Sequence, residues 1–470
     1  MKRRRPARAG LPALAALVLA GCMPPHAPRP EGSAVAPPPA WRDAPTGQAR
    51  VDPHWWRAFG DPALGGLIER ALARNTDVLT AVARIREAQA NIQLARSALL
   101  PALDAAGGIQ RSRDPAASGA AASTALQPEL QLNWQVDLFG RLSRLTDAAR
   151  LQYVASRADR DATALMVASQ VARGYIALLS LDAQLQVSEE TVRSRAEALR
   201  LAADQARVGY ISQFELTQAQ SEYEAVQQAI PQLQLALRAQ ENALSRLSGD
   251  LPGAIPRGLK LPAFMPPAVP ATLPSDLLRR RPDLASAELA IAAADAGLAA
   301  DRAAFLPQVA LSARLGTLFV NALDYDPVTV WSIGGSILAP IFAGGRLTAQ
   351  VDVATARRDQ AAFVYRGAVL SAFEEVETAL SGVARYAQQI QRLHNRRAIL
   401  LRSVALATDR YRGGYASYLE QLDAQRNLYS TELEAITVRQ DQLNNIVALY
   451  SALGGGWSEA SPAGTPARER

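Results

Sequence analysis

Between residues 126 and 138 apolar and polar positions alternate. Leu126, Leu130, Leu132, Trp134, Val136 and Leu138 occupy the even positions, with Pro128 the exception. Gln127, Glu129, Gln131, Asn133, Gln135 and Asp137 occupy the odd ones. A period of two predicts a strand with one apolar and one wet face. Residues 308–319 repeat the pattern, with Val309, Leu311, Leu315 and Phe319 opposite Gln308, Ser312 and Arg314. In 330–338, Trp331, Ile333 and Ile337 oppose Ser332, Gly334 and Ser336. Residues 102–113 are Gly-rich and weaker, and their partner strand implies a fourth. Elsewhere the period is helical. Leu165, Ala168, Val171, Ala172, Tyr175 and Leu179 recur at spacings of three and four, an apolar stripe along a helix. Helix formers fill 142–206 and 346–411, and no proline occurs between Pro128 and Pro231 or between Pro340 and Pro462. Each stretch predicts a rod of about 100 Å. Shorter helices are expected over 61–99 and 275–305, stopping at Pro101 and Pro307. Returning helices are expected over 213–248 and 417–452, ending at Gly249 and Gly454.

The two halves carry these elements in the same order. At an offset of 205, seven of fourteen residues agree between Arg207–Gln220 and Arg412–Gln425, and Gly140-Arg141-Leu142 falls on Gly345-Arg346-Leu347. At 206, Leu100-Pro101 falls on Leu306-Pro307. A unit of about 200 residues is far longer than a solenoid repeat. The expected organisation is a leader at 1–21, a Pro-rich linker at 22–50 and a first repeat at 51–253. A second Pro-rich linker at 254–274, a second repeat at 275–457 and an unstructured tail at 458–470 complete it.

The formal charge of +6 comes largely from Lys2, Arg3, Arg4, Arg5 and Arg8; with these five set aside it falls to +1. So neutral a body lacks the basic surface of a nucleic-acid binder. The basic start precedes the apolar run 11–20, too short to span a bilayer and characteristic of a secretory leader. It ends Leu19-Ala20-Gly21-Cys22, and Cys22 is the sole cysteine. This resembles a bacterial lipobox, which implies cleavage before Cys22 and its acylation. Acyl chains add about 0.8 kcal/mol of membrane attachment per buried CH₂. Met23 rather than Asp follows, which favours the outer membrane. His26, His54 and His394 are far apart, so no metal site is expected. No nucleophile–base pair and no phosphate-binding loop is evident, so neither an enzyme nor a cofactor is expected.

Four strands that face lipid on one side leave two edges whose N–H and C=O groups find no partner in a bilayer. Closure requires oligomers, and a dimer, trimer or tetramer gives eight, twelve or sixteen strands. Eight leave an interior that side chains fill, and the pattern alone does not choose between twelve and sixteen.

Five segments carry a resemblance across nearly the whole mature chain. They are Trp55-Trp56-Arg-Ala-Phe59-Gly-Asp61-Pro62-Ala-Leu64, Leu277-Leu278-Arg-Arg-Arg281-Pro282-Asp283-Leu284, Ala303-Ala304-Phe305-Leu306-Pro307, Pro340-Ile-Phe342-Ala-Gly344-Gly345-Arg346 and Ala452-Leu453-Gly454-Gly455-Gly456-Trp457. In this order, with the repeat and the lipobox, the chain resembles the TolC-like outer membrane factors, in particular the NodT-type efflux lipoproteins of resistance-nodulation-division pumps. The resemblance implies a mainly α protein whose long helical hairpins form a periplasmic α-barrel. It adds a four-strand contribution to a trimeric, twelve-stranded outer-membrane β-barrel embedded in lipid. It also implies a homotrimer, nearly sixfold at its helical end, that conducts substrate passively from an inner-membrane resistance-nodulation-division transporter through a periplasmic adaptor. A channel for type I protein secretion and a non-conducting envelope scaffold are the alternatives.

The same resemblance singles out two regions. The hairpin turns Gly209-Tyr210-Ile211-Ser212 and Gly413-Gly414-Tyr415-Ala416-Ser417 are expected at the periplasmic tip, where the adaptor docks. Leu419 and Asp423, four apart and so on one helix face, are expected to form the periplasmic gate, as three leucines and three carboxylates in a trimer. Such rings gate by dewetting and favour cations. Phe214 and Gln218 stand at these positions in the first repeat, so the carboxylate belongs to one repeat. Arg410 and Arg412 are expected to pair with such acids across a subunit boundary. Trp134 and Trp331 fit either an aromatic belt or strand packing, and Trp55-Trp56 the packing of the entry segment onto the body.

Overall fold

The computed structural model describes residues 30–43, 51–116, 119–270, 274–320 and 327–458. Cys22, the leader, the rest of the first linker and the tail beyond 458 lie outside the described residues. A 3₁₀ turn, Trp55–Phe59, leads into α1 (Pro62–Arg74), α2 (Thr76–Ser97), β1 (Ala102–Ala116) and β2 (Gly119–Val136). Then come α3 (Arg141–Arg207), α4 (Gln213–Gln227) and α5 (Ala229–Leu247). The second half follows as α6 (Pro274–Arg280), α7 (Pro282–Ala303), β3 (Gln308–Val320), β4 (Val328–Leu338), α8 (Arg346–Arg412) and α9 (Tyr418–Ala452). The fold class is the expected one: mainly helical, with long hairpins, four strands and a twofold internal repeat. The two long helices, α3 and α8, have 67 residues each.

Three expected helices are each divided. The helix expected over 61–99 breaks at Asn75, which leaves the helical region at ψ 133 and, through its Oδ1, accepts from the amides of Asp77 and Val78 to start α2. The helix expected over 275–305 breaks at the equivalent Arg281, before Pro282. Both break residues do the same work: Asn75 Nδ2 donates to the Leu247 carbonyl at 2.9 Å, and Arg281 Nη1 to the Ala452 carbonyl at 3.1 Å. Each closes the free end of a returning helix in its own repeat. The helix expected over 213–248 breaks at Gln228, because Pro231 cannot donate to the carbonyl of residue 227 and its ring crowds it. The second returning helix has no proline and runs unbroken.

The chain forms two compact units, each taking segments from both halves. Among the described residues, one comprises 30–35 and those within 83–157 and 286–367, and it holds the sheet. Its strands form an antiparallel meander, β1-β2-β3-β4, with β1 and β4 at the edges. The register puts Leu103, Ala105 and Ile109 opposite Leu132, Leu130 and Leu126. Leu126, Leu130, Trp134 and Val136 in turn face Phe319, Leu315, Leu311 and Val309. The last row sets Val309, Ala313 and Leu315 against Ile337, Ile333 and Trp331. Directly paired residues share a face, so one side of the sheet is apolar across all four strands, and most of its large side chains, Leu103, Ile109, Leu315, Trp331, Ile333 and Ile337 among them, are exposed. The other side carries Gln127, Glu129, Gln131, Gln135, Gln308 and Arg314. β2 starts seven residues earlier than expected. Trp134 packs at the strand end, its Nε1 donating to the Leu99 carbonyl at 2.9 Å, whereas Trp331 is 71% exposed on the apolar face.

The other unit comprises the described residues within 36–82, 158–285 and 368–458. Its core packs Trp55, Trp56, Phe59 and Leu64 against Val167, Val171, Tyr175, Phe264 and Tyr450. Trp55 stacks on Tyr450 with ring centroids 5.8 Å apart, so the Trp-Trp pair does anchor the entry segment. The Tyr175 hydroxyl donates to Asp61 Oδ2 at 3.0 Å and accepts from the Gly258 amide at 2.8 Å. Burial raises its pKa to about 12. Here too the halves match. Gln240 Nε2 donates to the Gly174 carbonyl at 2.9 Å, and Asn445 Nδ2 to the Ala379 carbonyl at 2.8 Å. Both bonds hold a returning helix to its long helix. Ahead of this core, Trp41 packs on Phe373 at 5.7 Å and the Arg42 amide donates to Glu377 Oε1, tying the linker to α8.

Candidate functional site at the helical turns

Both long helices end in the same motif. At the first, the Tyr210 amide donates to the Gln205 carbonyl and the Gly209 amide to Ala206. At the second, the Tyr415 amide donates to Arg410 and the Gly414 amide to Tyr411. These paired bonds define a Schellman ending. It requires a left-handed residue, and the two glycines have φ +79° and +75°. Gly413, on the helix side of Gly414, has ordinary backbone. Tyr210 and Tyr415, just past the glycines, are exposed.

The turns differ in how the next helix begins. Ser212 accepts from the Glu215 amide while Glu215 accepts from the Ser212 amide, a complete capping box. Ser417 occupies the same place in the second turn without a side-chain cap. Its Glu420 pairs instead with Arg410 at 3.5 Å, and Arg410 stands where the first repeat has Gln205. Arg410 is thereby engaged within its own chain, and its Nη2 also donates to the Tyr415 carbonyl.

Behind the turns the hairpins are joined. Tyr418 and Leu422 are buried with Ala202 and Ala219, flanked by Leu199, Ile211, Leu216 and Tyr411. The Tyr411 hydroxyl donates to Gln205 Oε1 at 2.8 Å. One turn of helix further on, Glu222 of α4 lies between two arginines. Arg195 of α3 pairs with it at 3.2 Å, with the two side chains 3% and 12% exposed. Arg426 of α9, 52% exposed, reaches the same carboxylate, its Nε donating at 2.9 Å. The Arg426 hydrogen bond holds the Glu222 carboxyl below its ordinary value, and burial lowers the pKa of Arg195. Sequence reasoning missed this cluster. The signal was present: Arg195, Leu199 and Ala202 lie on one face, which puts a cation on an otherwise apolar stripe.

On α9 the buried Tyr418 and Leu422 turn Leu419 and Asp423 outward. Leu419 is 50% exposed, and Asp423 is exposed and accepts from Asn427 Nδ2 at 3.2 Å. The expected gate residues therefore share a free face, next to the turn residues. Among the described residues no cluster of His, Cys, Asp and Glu has metal-binding geometry.

An open sheet with an exposed apolar face, in a chain that also carries two long helical hairpins, is the pattern of an outer-membrane channel. The outer membrane efflux protein family matches residues 67–250 and 273–455, and the chain belongs to it. The pyoverdine export outer membrane protein OpmQ of Pseudomonas putida is 34% identical over 456 residues, covering 93% of this chain and 95% of that one. The toluene efflux pump outer membrane protein TtgC of Pseudomonas putida is 33% identical over 419 residues, covering 87% of each. The structure of CusC superposes with a TM-score of 0.81 at 30% identity, covering 92% of this chain and 99% of that one. That of the open state of the Neisseria gonorrhoeae MtrE outer membrane channel gives 0.80 at 29% identity, covering 92% and 98%.

Proposed function

We propose that three copies of this chain close into one conduit and pass small toxic molecules out of the cell. The observation that carries this is the sheet: an apolar face for lipid, a polar face for a lumen, and two free edges. In a bilayer each unpaired edge group costs several kcal/mol, and pairing β1 of one copy with β4 of the next removes every edge. Twelve strands then surround a water-filled opening. The relatives named above serve pyoverdine export and toluene efflux, which supports a small-molecule cargo. The hairpins continue the conduit through the periplasm. Gly209, Tyr210, Ser212, Gly413, Gly414, Tyr415 and Ser417 dock a periplasmic adaptor, which couples the conduit to an inner-membrane resistance-nodulation-division transporter. That pump supplies the energy. Acylated Cys22 anchors each copy. Leu419 and Asp423 narrow the entrance, the leucines excluding water and the carboxylates favouring cations.

Single-channel conductance of the purified trimer in planar bilayers tests the reading. Wild type should open in small, cation-selective steps, and Asp423→Ala in larger, less selective ones. Equal conductance in both would refute the gate while leaving the channel. A folded trimer that passes no current would refute the channel and favour an envelope scaffold.

A further inference from the structure

We propose that Arg111 and Arg113 form a binding surface for phosphorylated glycolipid of the outer leaflet; this rests on the outer-membrane reading above. The β1–β2 ladder runs from Ala102↔Asn133 to Ala116↔Gly119 without a skipped residue, so no side chain changes face along it. Leu103, Ala105 and Ile109 lie on the lipid side, and Ile109 is 76% exposed. Arg111 and Arg113 continue that same side, paired with Thr124 and Ala122. Ser112 between them points the other way, its hydroxyl 3.4 Å from that of Ser123.

The apolar band thus ends at Ile109, and two exposed cations follow on its outward face. At about 3.4 Å per residue they lie roughly 7 and 14 Å beyond Ile109 along the strand. With a barrel tilt of about 40° this becomes roughly 5 and 10 Å of depth, which is the headgroup layer. The strands join the helices at their other ends, so this end faces outward. Cross-strand neighbours Thr124 and Ala122 are uncharged. The remaining strand arginine, Arg314, is paired with Gln131 and Ser332 on the polar face. A guanidinium fork matches phosphate in bidentate geometry, and arginine stems lie along apolar surface with the head in the polar layer. A trimer would present six such groups around its rim.

The test uses the full-length trimer in detergent and native mass spectrometry with diphosphoryl lipid A, its dephosphorylated form and phosphatidylglycerol. Wild type should bind the diphosphoryl form best. Replacing both residues by glutamine should weaken that binding about 25-fold, roughly fivefold per cation, and the double lysine variant should retain most of it. Equal binding of the phosphorylated and dephosphorylated forms, or no loss on Arg111→Gln with Arg113→Gln, would overturn the proposal. Phosphatidylglycerol binding as tightly as lipid A would overturn the glycolipid assignment. If the double variant does not assemble, Arg113→Gln alone is measured, with a fivefold loss expected and no loss refuting. Arg113→Cys in intact cells separates the two readings. Labelling by an impermeant maleimide supports the outward orientation, so a lipid result that then fails overturns this proposal alone. Labelling only after lysis overturns the orientation and the proposal with it.

Discussion

Glu222→Gln keeps the shape of the side chain and removes the one negative charge between Arg195 and Arg426. Arg195, 3% exposed, then loses its carboxylate and is left near a second cation. Stripping the partner from a buried ion costs about 3–5 kcal/mol. Arg426 is half exposed and can turn into water, so the lower end, about 3 kcal/mol, applies. Arg426→Ala removes only the exposed partner and should cost about 0.2–1 kcal/mol. Glu222 lies on α4, Arg195 on α3 and Arg426 on α9, so the loss falls on the contact that holds α9 and its Leu419–Asp423 face to the first hairpin. A change of about 3 kcal/mol raises the detached population more than a hundredfold. Two assays read it: open probability in planar bilayers, and hydrogen exchange of the amides around Tyr418. Both should rise strongly in Glu222→Gln and slightly in Arg426→Ala. The sign with pH is fixed. Glu222 titrates below its ordinary value of 4.5, so its stabilisation is complete above about pH 4.5 and fades as pH falls through the lower folded value. The Gln variant should lack that dependence. If Glu222→Gln changes neither exchange nor open probability while Arg426→Ala changes both, the buried pair is not what holds the tip, and the reasoning fails.

Two further outcomes follow from the other unit-wide contacts. Gly454→Ala should destabilise the fold by about 3 kcal/mol and so lower its melting point markedly, because φ is +86° and a Cβ would overlap the Arg280 carbonyl; a melting point equal to wild type would refute this. Tyr175→Phe should cost about 1–3 kcal/mol by stranding the Gly258 amide, while Asp61 Oδ2 keeps the Leu259 amide as a donor at 2.9 Å. With its pKa raised from 10 to about 12, Tyr175 stabilises fully below pH 10 and loses that effect as pH rises through 12. Alkaline unfolding of the variant should therefore be shallower over that interval, as read by circular dichroism.

What the chain declares openly is what local chemistry decides. The long helices were visible because proline is absent from 129–230 and 341–461, and the strands because their alternation survives in Trp134, Leu311 and Ile333. The helix break at Asn75 was not visible, and that at Arg281 was signalled only by Pro282, which ends a helix at the residue before it. Each is fixed by a distant carbonyl, Leu247 or Ala452, that the break residue must reach. The start of β2 was hidden for a related reason: residues 119–125 are mostly alanine, with little strand preference, and are extended by pairing with β1. Leu419 and Asp423 shared a face by spacing alone. The ion cluster behind them was missed because Arg195, Glu222 and Arg426 come from three helices and meet only after folding.

The two hairpins repeat one plan, and apart from the break before Pro231 the differences described between them fall at one end. Gln240 and Asn445, Asn75 and Arg281, and the glycines at 249 and 454 do matching work near the core. At the tip, Gln205 in one repeat is Arg410 in the other. That exchange draws Glu420 away from the cap that Glu215 forms in the first turn. A side-chain cap is worth about 1 kcal/mol, so α9 starts less firmly than α4. The weakly capped helix is the one that carries Leu419 and Asp423, and its attachment passes through Arg426, half in water. The contacts near the core are shared by both repeats, and the helix that carries Leu419 and Asp423 is the one in which a single arginine has relaxed the copy.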